Sequence, residues 1–244
     1  QAGHDVAFSY ARDQDKLERL ARRANGTAVS VAQAVERADV ALRDIVPTNP
    51  NKGYDVRKVL TLVVDDGDFF EVQPLWAKNI VTGFGRVGGK TIGIIANQAM
   101  NMAGCLDIDA SDKASRFIRI CDAYNIPIVT FVDVPGYLPG TAQEYGGIIR
   151  HGAKMLYAYS AATVPKITVI LRKAYGMAGS GHAPADRFRW RMAWPSGDWG
   201  SLPISGGLEA AYRGELEAAE DPVARLAEIR ARLDRVRSPF RTAE

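Results

Sequence analysis

Two glycine-rich stretches are where this sequence could do chemistry: Asp133-Val134-Pro135-Gly136-Tyr137-Leu138-Pro139-Gly140 and Lys173-Ala174-Tyr175-Gly176-Met177-Ala178-Gly179-Ser180. Each follows an apolar, β-rich run, at 127–132 and 166–171. Glycine there admits backbone shapes that other residues resist. Neither stretch offers an obvious acid–base pair of side chains. What such loops can supply is backbone N–H groups aimed at one point, and each donor to a developing oxyanion is worth about 3–4 kcal/mol in measured cases. Thioester enolates and carboxyl-transfer intermediates need that help and no nucleophilic side chain. A helix opening near Gly146-Gly147-Ile148 would add its positive end.

The other candidate clusters read as structure. Gly88-Gly89 joins two strands, with no helix after it and no Lys-Ser/Thr signature, so it is a hairpin turn and not a phosphate loop. Asp65-Asp66-Gly67-Asp68 lacks the spacing and the closing glutamate of an EF-hand. In Asp107-Ile108-Asp109-Ala110-Ser111-Asp112 the expected role is helix capping, with Asp109 or Ser111 opening a helix over 113–124. Three histidines (His4, His151, His182) show no metal-ligand spacing, and no metal is expected. Cys105 and Cys121 are expected as buried free thiols of a cytosolic protein.

To hold two loops side by side the chain needs buried strands alternating with helices. The pattern predicts a helix from Tyr54 to Leu60, a strand over 69–73 and a hairpin of Ile80–Val87 with Lys90–Asn97. The helix at 113–124, the strand at 127–132, a helix from about Gly146 to Ser160 and the strand from Lys166 follow. That alternation argues α/β with glycine loops at strand ends. The segment 1–46 reads as helical, 47–53 as a turn-rich linker, and 54–213 as the core domain. The stretch 182–200 has weak periodicity, and 214–244 holds a charged helix opened by Asp221-Pro222.

Composition is that of a soluble globular domain: 47% hydrophobic and 24% charged over 244 residues. A net charge of +3 with scattered basic residues gives no case for nucleic acid. No apolar run reaches a membrane span, and a cytoplasmic location is expected.

From about Tyr54 to Arg213 the sequence resembles the C-terminal half of the carboxyltransferase subunit of biotin-dependent acyl-CoA carboxylases, the propionyl-CoA carboxylase β-subunit type above all. The resemblance rests on long specific runs, among them Asn79-Ile80-Val81-Thr82-Gly83-Phe84, Leu106-Asp107-Ile108-Asp109-Ala110-Ser111-Asp112-Lys113-Ala114, Asp133 to Thr141, Glu144 to Lys154 and Arg172 to Gly176. It implies a crotonase-like ββα superhelix of the ClpP/crotonase type, a single core with peripheral helices. It also implies transfer of a carboxyl group between carboxybiotin and an acyl-CoA or related acyl thioester. Biotin would arrive on a carrier protein, not covalently on this chain. A biotin carboxylase, a partner chain or segment supplying the N-terminal half, and an oligomer would complete the system. Met177 and Ala178 match the backbone oxyanion pair. Pro135, Gly136, Tyr137, Leu138, Gly146, Gly147, Gly176, Gly179 and Ser180 fall where substrate or biotin would bind.

The sequence departs from the family pattern in places. The family usually reads Gly-Gly-Ala-Tyr-Asp where this chain has Gly176-Met177-Ala178-Gly179-Ser180, and Gly197-Asp198-Trp199-Gly200-Ser201 replaces an apolar stretch. A residue with a Cβ at 177 keeps its amide in place only if the local φ suits it. These edits leave open a biotin-independent decarboxylase, a specialised acyl-thioester paralogue, or a non-catalytic partner half of a split carboxyltransferase.

Overall fold

Adjacent buried strands β3 (Lys90–Asn97), β4 (Ile128–Val134) and β5 (Lys166–Tyr175) run parallel at the centre of the computed structural model, which describes residues 33–34, 44–181, 189–201 and 204–237. β1 (Phe70–Val72) and β2 (Ile80–Val87) extend the sheet antiparallel on one side. On the other side β6 (Arg189–Ala193) pairs with the first half of β5, and β7 (Asp198–Gly200) with its last three residues. β4 and β5 are buried along their whole length, as parallel strands covered on both faces must be.

One face carries α1 (Val56–Val63), whose Val56, Val59, Leu60 and Val63 recur at i, i+3, i+4 and i+7 and pack on Val81, Ile94, Phe131 and Val169. Asp55 opens that helix by accepting from the Arg57 amide. The other face carries α2 (Ile108–Ala123) and α4 (Ile148–Ala161), which bury Phe117, Ile118, Met155 and Tyr159 against Ile95, Val132 and Ile170. Asp112 ties those two helices together, accepting from Lys154 at 2.8 Å and lying 3.0 Å from His151 Nδ1. Burial pushes the Asp112 pKa upward, but hydrogen bonds from Lys154 and His151 outweigh it and hold the carboxyl below its usual range.

Several boundaries differ from the sequence expectation. α2 starts five residues early, because Asp107, and not Asp109 or Ser111, accepts from the Ala110 amide. β4 runs through Asp133 and Val134, and β5 through Tyr175, so the opening residues of each expected loop are buried strand. The helix expected from about Gly146 to Ser160 is α4, and an additional short helix, α3 (Thr141–Gly146), precedes it across Gly147, which is left-handed (φ 91°). The weakly periodic stretch contains β6 and β7; its residues 182–188 lie outside the described residues. Most of the expected helical segment 1–46 also lies outside them, although Ala34 and Val46 are buried in the core. The expected C-terminal helix is α8 (Pro222–Arg237), preceded by α6 (Ile204–Ala211) and α7 (Arg213–Glu217). Cys121 is a buried free thiol, whereas Cys105 is only partly buried.

The hairpin turn at Gly88-Gly89 is held from outside: both amides donate to the Asp65 carboxylate, at 3.0 and 2.7 Å. Part of the expected acidic turn thus serves as a clasp. No described helix is long and apolar enough to cross a membrane.

Lys113 is buried on α2, and its ammonium donates to the carbonyls of Trp76 and Ile80 at 2.8 Å each. Burial lowers its pKa to about 8. Between that value and the ordinary lysine range the unfolded chain binds the extra proton, so this group makes stability rise with pH from about 8 to about 10.5. Cys121 acts in the opposite sense, since burial raises its thiol pKa to about 12. The lysine is therefore isolated by comparing urea midpoints of the wild type with Lys113→Met from pH 7.5 to 10. The variant should lose the rising component; parallel curves would contradict it.

Candidate functional site

Sheet register places the two glycine stretches next to each other. Val134 pairs with Ala174, so Pro135-Gly136 and Tyr175-Gly176 leave the same edge of the sheet one strand spacing apart, about 4.8 Å. Just before this point Val132 pairs with Ile170. Two residues on β4 therefore face four on β5, a bulge that re-aims Arg172 and Lys173.

Those cations converge on Asp133, which is completely buried. Arg172 Nη2 lies 2.9 Å from Asp133 Oδ2, the Lys173 amide donates to Oδ1 at 3.0 Å, and the Lys173 ammonium is 3.9 Å away. Burial lowers the Lys173 pKa while Asp133 pulls it back up. Arg172 also donates to the carbonyls of Asn49 and Lys52, at 2.8 and 2.9 Å, and lies over the Tyr54 ring. The segment expected as a linker is strapped to the foot of the site by this buried charge cluster.

Beyond β4 the Pro-Gly loop is pinned by backbone bonds. Leu106 donates to the Gly136 carbonyl at 3.0 Å, and Leu138 donates to the Leu106 carbonyl at 2.8 Å. Tyr137 turns its ring onto Gly152 of α4, where a Cβ would lie 2.9 Å from the ring. Burial pushes its hydroxyl up to about 12, and that oxygen is buried without a protein partner. A Cβ at Gly136 or at Gly140 would meet nothing within 4 Å, so the outer side of the loop is open. Gln143 of α3 accepts from the Ile108 amide at 3.0 Å, joining this segment to the start of α2.

The second stretch is not an irregular loop. Gly176, with φ 56°, turns the chain directly from β5 into α5 (Gly176–Gly181), so Met177, Ala178, Gly179 and Ser180 are helical. The amides of Met177 and Ala178 belong to the first helical turn, where helix geometry provides no internal acceptor. Met177 lies within the helix without a positive φ and is 64% exposed, so its Cβ does not strain the backbone. Ala178 is buried with Val134, Leu106 and Met155. Gly179 is needed for contact: a Cβ there would sit 2.5 Å from the Ala174 carbonyl carbon and 2.7 Å from its oxygen. Gly179→Ala is expected to destabilise the protein by about 1–3 kcal/mol in urea despite alanine's better helix propensity. An unchanged or higher midpoint would show that α5 moves freely.

Gly146 closes α3, Gly147 starts the next helix, and Tyr145 and Ile149 beside them are 91% and 85% exposed. The Pro-Gly loop and the Met177–Ala178 turn share one edge of the sheet, and α4 packs against α5. Among the described residues no group of three or more His, Cys, Asp or Glu could hold a metal ion. What the arrangement offers is paired amides over an apolar floor.

Sequence reading missed the Asp133–Arg172–Lys173 cluster and the contacts of β7. The alternating Arg189-Trp190-Arg191-Met192-Ala193 was a readable strand signal. The partners of Asp198 had none, being 23 and 39 residues away.

The carboxyl transferase domain family matches residues 7–244. The chain is 50% identical over 214 residues to the propionyl-CoA carboxylase beta chain of Cereibacter sphaeroides, covering 86% of this chain and 41% of that protein. It is 54% identical over 184 residues to the methylmalonyl-CoA decarboxylase subunit alpha of Propionigenium modestum, 74% of this chain and 35% of that one. Among solved structures, the transcarboxylase 12S hexamer with methylmalonyl-coenzyme A bound matches at a TM-score of 0.78 and 52% identity, over 83% of this chain and 39% of that chain. The chain thus spans about two fifths of the length of these relatives.

Proposed function

Since the chain belongs to the carboxyl transferase domain family, with its crotonase-like fold, we propose that it is the C-terminal part of a carboxyltransferase acting between biotin and an acyl-CoA or related acyl thioester. The observation that carries this reading is the strand-to-helix turn at Gly176–Ala178, set beside the Pro-Gly loop on one sheet edge. The N–H groups of Met177 and Ala178 donate to the oxygen that gains negative charge as the carboxyl group moves. Ala178 and its buried neighbours keep water from beneath that oxygen. The Pro135–Leu138 loop forms the opposite wall, with its outer side open at Gly136.

The described residues suit a biotin ring: the loop wall is open at Gly136, and the floor around Ala178 is apolar. Biotin, presented on a separate carrier, supplies the carboxyl group. Residues 54–213 act as the working domain. An N-terminal half, a biotin carrier, a biotin carboxylase and an oligomeric assembly complete the system, and a cytoplasmic location fits them.

The test mixes the chain with its N-terminal half and a biotinylated carrier and follows labelled carboxyl transfer to acetyl-, propionyl- and longer acyl-CoA. Turnover with one of them is expected. Absence of turnover in both directions with every acyl thioester would overturn the proposal. The methylmalonyl-CoA decarboxylase relative favours a second reading, decarboxylation of a malonyl-type thioester by the same amides. CO₂ release without added biotin separates the two.

A further inference from the structure

We infer that Asp198 is a positioning residue: with Tyr175 and Arg237 it forms a clamp that fixes the Gly176–Ala178 turn from its outer side. This rests on the reading of Met177 and Ala178 as the working donors. A pair of amides stabilises charge well only if it is already in place when the charge develops. The turn cannot secure itself. It consists of one left-handed glycine and a six-residue helix, too short to persist alone. On its inner side β4 holds β5 through the Val134–Ala174 pairing.

On its outer side lies β7, three residues long and marginal by itself. In the parallel register Asp198 sits opposite Lys173, and Tyr175 is two residues further along β5 on the same face. The Tyr175 hydroxyl donates to Asp198 Oδ2. Burial and then Asp198 push the Tyr175 pKa up, so the phenol stays the donor. Arg237, the last residue of α8, returns from the C-terminal end of the described chain. Its Nη2 lies 2.8 Å from Asp198 Oδ1, its Nε donates to the Trp199 carbonyl at 2.9 Å, and its guanidinium stands 5.3 Å from the centre of the Tyr175 ring. Gly176 abuts the same segment, where an added Cβ would come 3.4 Å from the Ser201 carbonyl oxygen. Residues 175, 198 and 237 therefore converge on the one position from which the donors are aimed. Arg237 is 10% exposed on its side chain, so the ion pair is partly shielded from solvent.

Hydrogen–deuterium exchange of the full chain tests the clamp without any substrate. In Asp198→Ala and in Tyr175→Phe, amides of 175–180 should exchange at least about tenfold faster while those of 128–134 keep the wild-type rate. Arg237→Met should match them, and Arg237→Lys, which keeps the charge, should recover part of the protection. If Asp198→Ala does not fold, Tyr175→Phe carries the same comparison, because it deletes a single hydroxyl. In the reconstituted transfer assay kcat should fall roughly 10- to 100-fold, with KM for the acyl thioester within about twofold. Unchanged exchange at 175–180, or equal acceleration at 128–134, would overturn the clamp. So would faster exchange with an unchanged kcat. A wild type without turnover would sink the proposed function, and the exchange comparison would still decide whether Asp198 fixes the turn.

Discussion

Replacing Met177 by proline is expected to lower carboxyl transfer by about 10²–10³-fold, the loss measured when one oxyanion donor is removed from other enzymes. Proline deletes the N–H and leaves the carbonyl in place. Its fixed φ suits the first position of a helix, and Met177 occupies that position directly after the Gly176 turn. The methionine side chain points outward, so exchanging it disturbs little packing. Met177→Ala keeps the N–H and reports any loss due to the side chain alone. The gap between the two variants measures the donor. Initial rates in the reconstituted system, with circular dichroism to confirm the fold, give the answer. Equal rates for the two variants would mean that this amide does not meet the developing charge.

The second large effect is on stability. Asp133→Ala should cost about 3–5 kcal/mol in urea unfolding, because it leaves Arg172 buried without its carboxylate. Arg172 is 3% exposed and Asp133 is fully buried, so water cannot replace the lost partner. The damage should extend to the strap at 47–53, since the guanidinium that holds the Asn49 and Lys52 carbonyls is oriented by Asp133. Limited proteolysis in that segment should therefore accelerate in the variant. A change below about 1 kcal/mol would show that the arginine finds solvent or another acceptor.

Much of the scaffold was legible in the chain. The Gly88-Gly89 hairpin, the apolar runs of β4 and β5 and the helix expected from Tyr54 to Leu60 rest on local signals, and each appears in the fold, the helix as α1 shifted to Val56–Val63. The family was legible too, through runs such as Asp133 to Thr141 and Glu144 to Lys154, and the family match agrees. Element ends were less legible. Asp107 wins the cap of α2 while also accepting from Asn79 of a different segment, a choice that nearby residues do not reveal. Tyr175 reads locally as part of a loop but is strand, because β7 arrives to pair with it.

Residue type and spacing by themselves determined the α/β alternation, the two glycine stretches and the kind of chemistry that backbone amides can perform. Periodicity and glycine content are local properties, and they survive in a linear string. Tertiary structure alone decided that Val134 lies beside Ala174, bringing both stretches to one edge, and that Gly176–Ser180 is the start of a helix. It also decided that a methionine is harmless at 177, that Asp133 gathers two buried cations, and that Asp198 meets Tyr175 and Arg237. Each of these depends on contacts across 23 to 40 residues of chain, or on the sign of one φ angle, and both are set only when the sheet closes.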